Sequence, residues 1–465
     1  MSSVGSPQSI PMHAMTPIEP AKPAMATGAR KGHTFDTLLG HLPRGDRRST
    51  APPDLDPGLP VLLVRVVGNF PIQHHVVGVI RTLGRAGVPV YAVTEEGVTP
   101  ASTSRYLTGR VKLTSGGEPD QSALLDRLVE VVDRLPARPM LVCTDDEAAV
   151  LVAEGAGALA GRAIFPAVPP DLPRQLASKR GLHEICLRHG VPTPATSSVR
   201  TGDDLEAALA NLTLPVVAKQ ADSWSRLTRP VVAGSTVVRT AEDVGRLRAA
   251  FDRWPEGSDV IVQEYLPDDD AEDWFVHGYC TASSEVARIF TGRKLWSWPA
   301  RAGMTAYART ERNEEIEHSV RDLCRHIGYC GIFDTDWRYD RRTGTYLLLD
   351  FNPRIGGQFR MFEDDGGVDV VRAMHLDLSG RTLSSGCQGL VEGERFLAEN
   401  LGLAARRYYR EDPQPPEIPG APTRLRLAWF SPDDLRPFLT MVVKQLAASV
   451  RFRLRVLRSR SSAAP

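Results

Sequence analysis

The stretch GIFDTDWRYDRRTGTYLLLDFNPR, Gly331 to Arg354, limits the fold more than any other part of the chain. Two apolar-rich runs flank an Asp-Arg-Arg-Thr-Gly segment, which is the pattern of a β-hairpin. Strand side chains alternate, so Asp334 and Asp336 share one face, and Asp350 and Asn352 share one face. With a turn over Asp340–Gly344, Tyr339 pairs with Thr345 and Asp334 faces Asp350. Like charges set opposite each other in a sheet are destabilising unless something positive sits between them. A divalent cation meets that need, and magnesium in particular binds a few carboxylates together with substrate phosphates. Solvated acids at a sheet edge are the plainer account. Ile332, Phe333 and the three leucines 347–349 are too apolar for it.

The rest of the chain divides around this hairpin. With 465 residues, 42% of them hydrophobic, it is long enough for two to three domains. Residues 1–57 are rich in Pro, Ser, Ala and Gly and read as a disordered extension with no signal-peptide core. A first α/β unit spans 58–168. Val61–Val67 is a valine-rich buried strand, a helix follows that closes on Gly87, and VPVYAVT is a second strand. That β-α-β opening is of doubly wound, Rossmann-like type, but it lacks GxGxxG. Asp145 or Asp146 caps a later helix. Lys+Arg and Asp+Glu are both 56, so no net charge draws the chain to nucleic acid. Six scattered cysteines form no disulfide framework and fit a cytoplasmic protein. Cys324 and Cys330, with His326 between them, read as half-buried thiols rather than a zinc site.

A second unit, 169–385, carries the cations. Lys219 sits at the end of the apolar run PVVA, where a lysine must snorkel or meet an anion. Lys179 opens a helix whose apolar face is Leu182, Ile185 and Cys186, joined by His189. Two separated lysines, an acidic hinge QEYL and a metal hairpin are the parts of a nucleotide site, and no P-loop is present.

In that order, SKRGLHEICLRHGVPTP, PVVAKQ, VIVQEYLP and LLLDFNPR resemble the four motifs of the ATP-grasp superfamily. IFTGRKLWSWPARAGMT and FNPRIGGQFRMF are similar to its carboxylate–amine ligase, D-aspartate ligase-like branch. The resemblance covers about residues 60–380. It implies an α/β ATP-grasp fold with an N-terminal Rossmann-like pre-ATP-grasp domain. It also implies that Lys179 and Lys219 bind ATP phosphates and that Glu264, Tyr265 and Leu266 form the adenine hinge, with Glu264 accepting from the adenine amino group. Asp273, or Glu272, would take the ribose. Asp336, Asp350 and Asn352 would ligate magnesium, or manganese in its place. Two positions depart from the family: Asp stands at 336 and 350 where many members have Glu. The phosphate-covering loop, a lid over about 221–234, has one glycine at its far end.

The chemistry implied is attack of a carboxylate on the γ-phosphate of ATP, then of an amine on the acyl phosphate. Arg354 would stabilise the transferring group, with the backbone N–H groups of Gly356 and Gly357 as oxyanion donors. Arg293 and Lys294, with Arg301 and Arg360, are candidates for holding a substrate carboxylate. The expected partners are small carboxylates and amines of the amino-acid or peptide class, and the resemblance implies a homodimer. Another acceptor on the same activation (carboxylation, thioester formation or a small-molecule kinase) is the alternative, and a non-catalytic nucleotide-binding protein is a further one. His74 and His75 could touch substrate, though such a pair is more often structural. Residues 386–465 form a C-terminal segment whose basic helix either packs on the body or contacts a membrane surface.

Overall fold

The computed structural model describes residues 54–461 except 68–71, 95–96, 114–119, 222–234, 252–259, 268–271, 302, 384–389, 413–417 and 419. The expected N-terminal extension lies almost wholly outside the described residues, as does the expected lid apart from residue 221.

The first unit runs β1 (Val61–Val64), α1 (His74–Gly84), β2 (Val90–Val93), β3 (Gly109–Val111), α2 (Gln121–Asp133), β4 (Met140–Cys143) and α3 (Asp146–Glu154). Its four strands lie parallel in the order β3-β2-β1-β4. The continuous apolar run of β1 is explained by helices on both faces. Val61 and Leu63 pack with Val76, Val79 and Ile80 of α1. Leu62 and Val64 pack instead with Leu128 of α2 and Leu151 of α3. Asp145 caps α3 through Ala148 N and also accepts from Val66 N at 3.0 Å, which ties the ends of β1 and β4 together.

The next elements are α4 (Leu172–Ala177), α5 (Lys179–His189), β5 (Thr196–Val199), α6 (Gly202–Asn211), β6 (Val216–Gln220), β7 (Ser235–Val238), α7 (Ala241–Phe251) and β8 (Val260–Glu264). The strands form a small antiparallel sheet, β5-β8-β6-β7, covered by α6 and α7 through Leu205, Val216, Val262 and Leu247. Ser178 caps α5, accepting from Gly181 N, and Gly190 ends it at φ 68°, a left-handed position that glycine takes without steric cost.

A seven-stranded sheet completes the body. It contains β9 (Glu272–Cys280), β10 (Val286–Trp298), β11 (Met304–Thr310), β12 (Gly331–Asp340), β13 (Thr345–Asn352), β14 (Arg395–Leu397) and β15 (Leu425–Leu427). The order is β13-β12-β9-β10-β11-β14-β15. Four helices accompany it: α8 (Glu314–His326), α9 (Val370–Leu378), α10 (Glu399–Glu411) and α11 (Arg436–Ser461). The boundary expected near 385 is therefore not a boundary of the sheet, because β14 pairs with the free edge of β11 and carries β15 with it. The C-terminal segment also straps back onto the first unit. Buried Arg81 of α1 donates to Asp434 Oδ2 at 2.9 Å and to the carbonyls of Trp429 and Asp434.

The hairpin differs from the expected register. Asp340 pairs with Thr345, Tyr339 with Tyr346 and Trp337 with Leu348; beyond a one-residue bulge at Leu349, Asp336 pairs with Asp350 and Asp334 with Asn352. The turn sets the first shift. The carbonyl of Asp340 accepts from Gly344 N at 2.8 Å and its carboxylate from Arg342 N at 3.0 Å, so the loop is Arg341–Gly344. The bulge adds the second.

Candidate active site

One face of the large sheet is apolar: Trp274, Val276, Trp337, Leu348 and Phe351 pack with Val320 and Leu323 of α8. The other face carries charge. Asp334, Asp336 and Arg338 alternate along β12, and Asp350 and Asn352 stand opposite on β13. In an unbroken strand Leu348 and Asp350 would share a face. The bulge at Leu349 lets Leu348 enter the core beside Trp337 while Asp350 joins Asp336.

Each acid on this face meets a cation. Lys179, at the N-terminus of α5, pairs with Asp350. Lys294 of β10 lies 2.7 Å from Asp336 Oδ1, and Arg354 lies 3.0 Å from Asp334 Oδ2. Asn352 Nδ2 donates to that same Asp334 oxygen at 3.3 Å. Burial would push Asp350 up, but Lys179, with Lys219 and Arg354, holds it below the usual carboxylate range. Asp334 goes the other way: burial and the neighbouring Asp336 raise it to about 7. Its Oδ1 is buried with no hydrogen-bond partner among the described residues, and His277 Nδ1 stands 3.5 Å away. As the side chains stand, each of these acids is taken by a cation, and among the described residues no three His, Cys, Asp or Glu are grouped to hold a metal ion. A divalent cation would relieve the repulsion between Asp334 and Asp336 and satisfy the orphaned oxygen, with Asp336, Asp350 and Asn352 as the expected ligands and Asp334 beside them.

Lys219 reaches the same place from the small sheet. Its Nζ donates to Gln263 Oε1 at 3.0 Å. Burial and then Lys179 lower its pKa to about 8, while Asp350 acts against that fall. The backbone joins the two lysines as well, since Lys179 N donates to Ala221 O at 2.8 Å just past β6.

The hinge side chains are partly committed elsewhere. Glu264 Oε1 accepts from Arg342 Nη2 at 2.9 Å, so its carboxylate is held by the hairpin turn rather than left open for an adenine amino group. The guanidinium of Arg239 lies 5.9 Å from the Tyr265 ring centroid, and Leu266 is buried. Asp273, expected at the ribose, receives two bonds from Arg338, at 2.7 and 3.1 Å. Arg338 also donates to Leu266 O at 3.2 Å and so locks the hinge to the large sheet. The sequence reading overlooked Arg338, although its signal was there: it is two residues beyond Asp336 and therefore on the same face.

The four substrate-carboxylate candidates separate. Lys294 is on the charged face. Arg293, its neighbour on β10, points to the opposite face, where it lies 3.6 Å from Glu272 and 3.8 Å from Glu311, because adjacent strand residues alternate. Arg301 adopts φ 63° and is pinned at that position, its Nη2 donating to Asp412 Oδ2 at 2.8 Å and its N to Tyr409 OH at 3.1 Å. Arg360 lies against Gly78 of α1. Burial and the nearby Arg85 and Arg81 lower its pKa to about 9.

The first unit packs against the end of this face. Arg354 Nε lies 3.2 Å from Asp146 Oδ1 at the start of α3, and Ile355 N donates to Cys143 O at 3.3 Å. Asp146 thus holds a catalytic candidate, a role beyond helix capping. His75 Nε2 bonds to Thr144 O at 3.1 Å, and burial keeps both histidines neutral, with His74 lowered to about 4. Since a carbonyl only accepts, Nε2 of His75 carries the proton. Gly356 sits where a Cβ would lie 2.0 Å from His277 Cε1 and 2.6 Å from Asp334 Cγ. His277 is fully buried and Asp334 is buried beside it. Gly356→Ala is therefore expected to destabilise the fold by about 2–3 kcal/mol, read as a lower urea midpoint.

No family model matches the chain. Its sequence is 26% identical over 246 residues to the D-aspartate ligase of Enterococcus faecium (strain Aus0004), covering 51% of this chain and 58% of that protein. Among solved structures, N5-carboxyaminoimidazole synthetase from Staphylococcus aureus complexed with ADP superposes with a TM-score of 0.56 at 11% identity, over 80% of this chain and 92% of that one. The chain has the ATP-grasp fold. A second ATP-grasp structure, carboxyaminoimidazole ribonucleotide synthase from asperigillus clavatus complexed with ATP, gives a TM-score of 0.54 at 12% identity, over 77% and 88% of the two chains. The ATP-grasp neighbours also include the biotin carboxylase domain of 2-oxoglutarate carboxylase from Hydrogenobacter thermophilus, in complex with MgADP, ADP and bicarbonate. Its TM-score is 0.52 at 16% identity, over 70% of each chain.

Proposed function

We propose that this protein is an ATP-dependent carboxylate–amine ligase that forms an amide or peptide bond and releases ADP and phosphate. The observation that supports it most is the convergence of Lys179 and Lys219, from the small-sheet lobe, on Asp350 of the large sheet. Two lysines held that close repel each other, and polyphosphate is an anion dense enough to use both.

In this reading a substrate carboxylate oxygen attacks the γ-phosphorus and the bond to the β-bridging oxygen breaks, leaving acyl phosphate and ADP. An amine nitrogen then attacks the acyl carbon, gives up a proton, and phosphate leaves. Both first reactants are anions, so the chain's cations screen them: Lys179 and Lys219 at the phosphates, Arg354 at the transferring group. Magnesium, held by Asp336, Asp350 and Asn352 with Asp334 beside them, would supply further charge neutralisation at the phosphates. Arg338 positions the hinge through Leu266 O, and Asp146 orients Arg354 from the first unit. Gly356 lets the backbone after Arg354 pass close to His277 and Asp334.

The acid and the amine belong to the amino-acid or peptide class in this proposal, supported by the relative named D-aspartate ligase. The test is an ADP-release screen that crosses amino acids, D-aspartate included, with amines and short peptides, followed by mass spectrometry of the product. ADP release that requires both partners and yields a product lighter than their sum by one water supports ligation. ADP release with bicarbonate, or with an acid and no amine, would replace it with another acceptor. ATP binding with no turnover would make the chain a nucleotide-binding protein. Within the ligase reading, Arg360→Ala is expected to raise KM for the acid about tenfold or more with little change in kcat, since that guanidinium would serve ground-state binding.

A further inference from the structure

α11 presents an apolar stripe that nothing among the described residues covers. Its inner side is anchored: Met441 is 3% exposed, and Phe438 and Val442 pack against the main core. Its outer side shows Leu439 at 57%, Val443 at 65%, Leu446 at 62% and Val450 at 56% exposure. Phe430 and Leu435, 41% and 43% exposed, extend the patch toward the body. Six of the twelve exposed large hydrophobic residues among those described thus fall within 21 positions of the chain, which is no random scatter.

At 3.6 residues per turn the four helix residues fall within one sector of roughly 60°. The charge of the same helix is one-signed. Arg436, Lys444, Arg451, Arg453, Arg455, Arg458 and Arg460 are its ionisable residues, and no acid follows Asp434 in the sequence. Lys444 and Arg451 fall on one flank of the stripe.

We infer that α11 lies flat on an anionic lipid bilayer, its stripe in the acyl boundary and its cations at the headgroups. A second copy of the chain fits worse. Heptad pairing through Leu439, Leu446 and 453, with Val443, Val450 and Leu457, would place Arg453 in the seam, and two such helices would bring like charges together with no acids to pair them. Nucleic acid would match the cations and leave the stripe in water. In the membrane mode the charges and the stripe act together. Among the described residues no helix is long and apolar enough to cross a membrane, so the contact is peripheral. The anchored first turns would hold the body against the surface.

The test is sedimentation of the full chain with vesicles of phosphatidylcholine alone and of phosphatidylcholine with phosphatidylglycerol. Binding is expected to be at least about tenfold tighter to the anionic vesicles and to weaken in high salt. Leu446→Asp/Val450→Asp should reduce it by about tenfold or more while the melting temperature stays unchanged, because both side chains are already in water. Failure to bind anionic vesicles, or equal binding by the double variant, overturns the inference. So does a dimer in analytical ultracentrifugation that Leu446→Asp dissociates, or duplex DNA binding that the double variant keeps.

Discussion

Lys219→Met is expected to raise the melting temperature of the nucleotide-free protein and to weaken nucleotide binding. The two effects have opposite sign because a charged lysine held beside Lys179 and away from water costs stability until an anion arrives. Its pKa, about 8 against the ordinary 10.5, is the measure of that cost. Part of it is offset by the bond to Gln263 Oε1, which the methionine loses. A net gain of about 1 kcal/mol, or about 1 °C for a chain of this length, is expected by scanning calorimetry. ADP affinity measured by calorimetric titration should fall by about a hundredfold or more, as expected for a charge-assisted phosphate contact. The pH dependence follows from the same shift. Between about pH 8 and 10.5 the unfolded chain holds the proton that the folded chain has released, so wild-type stability contributed at this site rises with pH across that window. The methionine variant lacks the rise. Nucleotide affinity moves the other way and weakens above about pH 8, where the free protein's Lys219 becomes neutral. A lysine that was only structural would give a destabilised variant, and that result would remove Lys219 from the site.

Asp350→Ala is expected to reduce magnesium-dependent ADP release by about a thousandfold or more, with no recovery at high magnesium. Asp350 is where the two lobes meet electrostatically: it pairs with Lys179, lies near Lys219, and stands opposite Asp336 across the bulged hairpin. Its removal leaves two lysines facing each other, so the Lys219 pKa should drop further while the apolar face beneath, Trp337 with Leu348 and Phe351, is untouched. The melting temperature is expected to change by only a few degrees. Retained magnesium-dependent turnover in a folded Asp350→Ala protein would place the metal ligands elsewhere.

Much of this site was legible from residue types and spacing. Period two put Asp334 with Asp336 and Asp350 with Asn352, and a lysine after PVVA had to meet an anion. The same rule, carried two residues further, finds Arg338, and applied to Arg293 and Lys294 it parts them. What spacing could not supply was phase. Three consecutive leucines, 347–349, bury equally well in either register, so nothing local shows that Leu349 bulges out and that Asp350 faces Asp336 rather than Asp334. Nor does anything near Glu264, Asp273 or Arg354 show that their partners are Arg342, Arg338 and Asp146.

The sequence by itself determined which residues are charged in apolar strands, where the strands end, and which neighbours share a face, because those follow from alternation and from the cost of burying a charge. Only the tertiary structure decided which charges meet. Pairing across a bulge, across two lobes and across the junction with the first unit depends on contacts between residues far apart in the chain, and no local preference encodes them.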